Sequence, residues 1–202
     1  MQHGAEVPRR FNETNLGFMM IFGLFTKKNA NRQIVERQYA TLTAAARQPA
    51  LYEICGVPDT VMGRFEMLSA MLILYFRRTR ASGTSGQEIA QEIVDAFFED
   101  VDHSIRELGV GDVGVPKRMK KFAGMFYGRL ESYAAALDAS DHEALAAALA
   151  RNFHPEAAGS EPDMRPLADY LARVEADFAA QDEARVETGV LAVPDARPAT
   201  AA

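Results

Sequence analysis

Three sets of residues in this 202-residue chain have side chains able to do chemistry, and each would do a different kind. Cys55 is the single thiol, and a nucleophilic cysteine needs a base beside it. His3, His103, His142 and His154 are scattered along the chain, and the setting of Cys55 between Ile54 and Gly56 reads as that of a small buried apolar residue. Asp100, Asp102 and His103 are of metal-ligand type, but residues two apart on a helix point in different directions. A solvated acidic face is the expectation there, and no metal. The third set is Lys117, Arg118, Lys120 and Lys121, four cations crowded at the predicted start of a helix. A helix N-terminus already carries about half a positive charge, so a cation stacked there lowers helix stability by about 0.3–1 kcal/mol. The cluster is either a solvated face tolerated by a long helix or a docking surface for something anionic.

Composition narrows the classes. The chain is 48% hydrophobic and 25% charged with a net charge of −6, which fits one soluble globular core. An acidic protein argues against generic nucleic-acid binding, where a basic surface supplies the affinity. With one cysteine there is no intrachain disulfide, and an oxidising compartment is not indicated. The apolar run Leu16–Phe25 is about half the length a membrane span needs and is followed by TKKN rather than a small-residue cleavage site. A cytoplasmic protein is expected, with residues 1–28 an N-terminal extension whose apolar run, beside Lys27 and Lys28, suits a membrane interface or a core anchor. There is no Gly-rich phosphate loop and no metal-ligand spacing, so a binding module is favoured over an enzyme and no cofactor is expected.

The elements that must position these residues are helical, because apolar residues recur at helical spacing between Pro, Gly and capping signals. The fold expected is all-α, a single-domain bundle of about six to seven helices over 29–183, with a disordered Ala/Pro-rich tail over 184–202. A first helix spans about Asn31–Arg47, and a short one opens at Pro49 and closes at Gly56. A third runs from an Asp59 or Thr60 cap to Thr79, with Val61, Phe65, Leu68, Leu72 and Tyr75 or Phe76 inward. Arg77, Arg78 and Arg80 sit at its C-terminal end, where cations suit the dipole. Ser85 with Glu88, and Ser140 with Glu143, have capping-box spacing for two more helices. Ile89, Ile93, Phe97, Val101 and Ile105 face inward on the first of these, which Gly109 ends. The helix carrying the cations spans about Pro116–Leu137 with Phe122, Phe126, Leu130, Tyr133 and Leu137 inward and Met125 at the edge. Gly124 and Gly128, one turn apart, suggest close helix packing inside the domain, or else a partner contact. A last helix opens at Asp163 and Pro166, with Leu167, Leu171, Val174 and Phe178 inward.

Two blocks, LYEICGVPDTVMGRFEML from Leu51 and RELGVGDVGVPKRMKKFAGMFYGRLESYAAAL from Arg106, resemble the ubiquinol-cytochrome c chaperone family over roughly Ile34–Phe153. GVPDT from Gly56 and VPKRMKK from Val115 carry the resemblance most specifically. It implies a helical assembly factor for the cytochrome bc1 complex that holds newly made cytochrome b, or an early assembly intermediate, and does not turn over a substrate. A small helical partner protein, as the mitochondrial relatives have, is also implied, as is a location peripheral to the inner (cytoplasmic) membrane. The surface expected to meet the partner joins the GVPDT turn to the start of the VPKRMKK helix: Lys117, Arg118, Lys120 and Lys121, with Asp59, Arg64 and Glu66 from the matched block. Asp59 is also a cap candidate, and Arg64 and Glu66 are candidates for internal pairing. Met62, Met67, Met71, Met119 and Met125 offer adaptable contacts, of which Met62 and Met125 join the site, though Met is equally good core filler. The other readings are a membrane-surface or RNA-associated helical adaptor, and a helical enzyme or heme carrier.

Overall fold

Helix-forming residues punctuated by Pro and Gly give, in the computed structural model, helices and no strand among the described residues, which are 32–157 and 159–197. The helices are α1 (Arg32–Ala46), α2 (Pro49–Glu53), α3 (Val61–Thr79), α4 (Thr84–Glu107), α5 (Val115–Asp138), α6 (His142–Phe153), α7 (Arg165–Ala180) and α8 (Glu183–Glu187). The all-α expectation holds. The apolar run Leu16–Phe25 and the beginning of the first expected helix, Asn31, lie outside the described residues.

α3 is the axis of the bundle. Every residue from Met67 to Tyr75 except Leu68 is buried, the pattern of a core helix, and α4, α5, α6 and α7 all pack on it. A single inward stripe was expected, but the continuous apolar run MLSAMLIL suits burial all round. Phe65, Phe97 and Phe126 interlock at its centre, Phe65 to Phe97 at 5.6 Å and Phe97 to Phe126 at 5.7 Å between ring centroids.

Contacts fix the helix directions. Phe65 meets Phe122, Glu66 meets Arg129, and Arg77 meets the Ala134 carbonyl and Asp138, so α3 and α5 run parallel. α7 runs the same way, since Met164 lies at Gly56 while Glu175 accepts from Arg77. The starts of α3 and α5, and the loop that ends α4, therefore share one end of the bundle. Arg77, Arg78 and Arg80 lie at the other end, in structural roles. Arg77 bridges Asp138 of α5, at 2.8 Å, and Glu175 of α7, while Arg78 donates to the Gln181 carbonyl at 3.0 Å.

Two caps differ from expectation. α4 begins at Thr84 behind Gly83, which puts Ser85 inside the helix, and the Gly83 N–H is taken instead by Glu183 of α8 at 3.2 Å. At α6 the cap is Asp141, which accepts from Ala144 N–H at 2.9 Å, because Ser140 adopts a left-handed φ of 51°. A short polar side chain one residue on reaches the free N–H equally well.

The tail expected to be disordered is laid down on the bundle as far as Arg197. α8 is capped by the Asp182 side chain, and Val186, Leu191 and Ala196 are buried. Two glutamines then pair with the strap's backbone. Gln181 both donates to and accepts from Ala192 at 2.8 Å, and Gln48 donates to the Pro194 carbonyl at 3.1 Å while accepting from Ala196 N–H at 2.7 Å. A side-chain amide offers the same donor and acceptor pair as a peptide group, so an Ala/Pro-rich segment is ordered with few apolar side chains of its own.

Candidate functional site

The end of the bundle where α3 and α5 begin is built from a rigid turn beside an electrostatically unfavourable helix start. Gly56 takes φ +76°, and its carbonyl lies 2.8 Å from His154 Nε2. Thr60, not Asp59, caps α3 by accepting from Gly63 N–H at 3.0 Å. A Cβ on Gly63 would stand 1.9 Å from the Pro58 carbonyl oxygen, so only glycine lets the GVPDT turn close against the helix. Asp59 receives both Arg64 Nε and Nη2, at 2.9 and 2.8 Å, on the surface. Arg64 therefore pairs with Asp59 and not with Glu66.

Glu66 is interior. It is 1% exposed and takes a bidentate bond from Arg129 of α5, at 2.6 and 2.9 Å, beneath the surface rather than on it. Burial pushes its carboxyl up from the usual value, and the Arg129 guanidinium opposes that rise. Its role is to tie α3 to α5. Cys55 is likewise buried, with its thiol pushed up by burial, and His154 is committed to the Gly56 carbonyl. Among the described residues no cluster of metal-ligating side chains forms. Of the acidic candidates on α4, Asp100 accepts from Tyr39 at 2.7 Å and Asp102 from Arg106 at 2.6 Å.

α5 opens without a side-chain cap and without an acidic residue in its first turn. Val115, Met119 and Phe122 turn toward the core, which leaves Lys117, Arg118, Lys120 and Lys121 outside and exposed. None of these four side chains makes an ion pair or hydrogen bond among the described residues. The stripe through Lys117 and Lys121 continues to Gly124 and Gly128, both exposed, where an added Cβ would meet nothing within 4 Å. Close packing inside the domain is thus not what these glycines serve. Each costs about 1 kcal/mol of helix stability with no close neighbour among the described residues in return.

Apolar side chains lie open at the same end of the bundle. Val61, expected in the core, is 63% exposed, and Met62 is 42% exposed beside it. Ile54 lies open just before the turn, and Leu108 and Val113 lie open in the loop between α4 and α5. Met125 and Met119 are half-buried against the core, and Met67 and Met71 are fully inside. The structure thus brings Met62, Asp59 and Arg64 to the same end as the four cations, through the Phe65–Phe122 contact at 4.8 Å. It withdraws Glu66. Leu108, Val113 and Ile54 were not singled out by sequence reading, since an isolated apolar residue in a loop has no periodicity to mark it.

Comparison with known proteins gives a consistent result. Residues 53–193 match the family described as ubiquinol-cytochrome C chaperone, further toward the C-terminus than the sequence blocks alone suggested. Ubiquinol-cytochrome-c reductase complex assembly factor 1 of Xenopus laevis is 24% identical over 137 residues, 68% of each chain. The human protein of that name is 28% identical over 119 residues, which is 59% of this chain but 40% of the human one. The crystal structure of the Cbp3 homolog from Brucella abortus superposes with a TM-score of 0.76 at 46% identity, covering 82% of this chain and 91% of that one.

Proposed function

The chain belongs to the ubiquinol-cytochrome c chaperone family, and from that premise we propose that it assists assembly of the ubiquinol-cytochrome c reductase (bc1) complex by binding newly made cytochrome b or an early assembly intermediate. It acts by binding and not by turnover, as a peripheral protein at the cytoplasmic face of the membrane. No described helix is long and apolar enough to cross one.

The contact surface we assign is the end of the bundle shared by α3 and α5. Met62, with Val61 and Ile54, supplies the apolar part, and Met125 lies half-buried along α5. Asp59 and Arg64 border it, and Lys117, Arg118, Lys120 and Lys121 supply its charge. Glu66 contributes by locking α5 to α3 beneath that surface. The observation that carries the assignment is the cation cluster: four like charges without partners among the described residues at a helix start, kept at a cost to folding. New membrane subunits offer apolar helices beside charged loops, and a surface that is part apolar and part cationic complements that.

Changing all four cations to Gln tests it. Lys117 and Arg118 lie in the first turn, and the i,i+3 and i,i+4 repulsions vanish as well. Thermal stability at low salt should stay level or rise by about 1 kcal/mol. In cells lacking the native protein, the variant should restore bc1 content of the membranes several-fold less well than the native chain. Equal restoration would contradict the assigned surface.

A further inference from the structure

The tip where α4 turns into α5 combines two features that folding does not explain. The loop is well ordered: Arg106 holds Asp102 and Asp112, the Gly109 N–H bonds the Arg106 carbonyl at 2.9 Å, and the Gly114 N–H bonds the Gly111 carbonyl at 2.8 Å. That ordered loop turns Leu108 and Val113 away from the protein, 65% and 97% exposed. Val113 is the most exposed of the large apolar residues among those described. It is followed within two helical turns by the four cations, which have no partner among the described residues. Arg106 balances one of Asp102 and Asp112, leaving the other, with Glu107, against Lys117, Arg118, Lys120 and Lys121.

We infer that this tip is a docking surface for an anionic lipid bilayer, with Leu108 and Val113 entering the headgroup boundary and the four cations resting on lipid phosphates. It deepens the reading given above by assigning a partner to the charged half of that surface, and the tests of the two are separable. Charge complementarity favours lipid, since about 1 kcal/mol per cation is available near an anionic leaflet. The net charge of −6 repels the rest of the molecule from the same leaflet, so approach is tip first. The apolar pair then discriminates among anions. A soluble polyanion such as RNA gives nothing for burying Val113 and Leu108, whereas a bilayer interface rewards it.

The test is binding of the full chain to vesicles of phosphatidylcholine alone or with one-third phosphatidylglycerol, which contain no client. The native protein should bind the anionic vesicles, bind neutral ones at least about 50-fold more weakly, and be released by rising salt. Replacing the four cations with Gln should lower anionic-vesicle affinity on the order of 100-fold. Leu108→Ser with Val113→Ser should lower it about ten-fold without changing the melting temperature. Arg151→Gln with Arg185→Gln, exposed cations away from the tip, should leave it unchanged. Native-level binding by the four-cation variant overturns the inference, as does failure of the native chain to bind anionic vesicles at low salt. Tight RNA binding that is indifferent to the Leu108 and Val113 changes also overturns it, in favour of a polyanion. Failure of the native chain to bind anionic vesicles while it still captures cytochrome b from detergent extracts overturns the lipid assignment alone. The reverse pattern overturns the client reading alone.

Discussion

Replacing Arg129 with Met is expected to lower stability by about 3–5 kcal/mol, the largest effect of any single substitution near the proposed surface. Glu66 has a side chain 2% exposed, and Arg129 bonds both of its oxygens. Removing the guanidinium leaves a carboxylate in the interior with no counter-charge, and desolvation then acts on it unopposed. The deficit should depend on pH in a definite direction. A buried acid with a raised folded-state value binds more protons in the native than in the unfolded chain, so stability falls as pH rises between the two values. The Arg129→Met deficit should therefore be greatest near pH 7 and shrink toward the ordinary glutamate value of 4.5. Replacing both partners, Glu66→Leu with Arg129→Met, should recover most of the loss. Denaturant titrations at pH 5 and pH 7 check this. A pH-independent deficit would mean that Glu66 is not the group responsible.

Gln38→Leu should cost about 2–4 kcal/mol, although the substitution looks conservative in size. Gln38 is fully buried in α1, accepts from the Tyr75 hydroxyl at 2.6 Å and donates to the Val186 carbonyl of α8. Leucine strands both of those groups, each at about 1–3 kcal/mol. Tyr75→Phe relieves one of them, so the double variant Gln38→Leu with Tyr75→Phe should be less destabilised than the sum of the two single changes. Because Val186 anchors the strap, amide exchange in 186–197 should quicken in Gln38→Leu more than in α3. Uniform acceleration would show that the triad is not what fastens the strap.

What the sequence made legible and what it did not divide along contact distance. The bounds of α3 and α5, the Gly56 and Gly109 terminations and the inward stripe Ile89–Ile105 follow from local spacing, and they appear as expected. The cation cluster was legible for the same reason, since charge crowding and a helix start lie within a few residues. Glu66–Arg129 and Gln38–Val186 join residues 63 and 148 positions apart, and no local pattern reports such pairs. Gly63 was missed because its close neighbour is a backbone carbonyl, not a side chain. The strap over 188–197 was misread because its partners are glutamine side chains in α1–α2 and α7–α8 connections, where composition gives no hint of pairing. Val61 is placed inward by periodicity alone, which does not tell whether a neighbour covers the first turn of a helix.

The most direct test is capture of the tagged full chain from detergent-solubilised membranes of its own host, with cytochrome b read by immunoblot and by its heme spectrum. Cytochrome b should be recovered with the native chain and be depleted with the Lys117, Arg118, Lys120 and Lys121 to Gln variant. Recovery of neither cytochrome b nor any early bc1 intermediate with the native chain would contradict the proposed role.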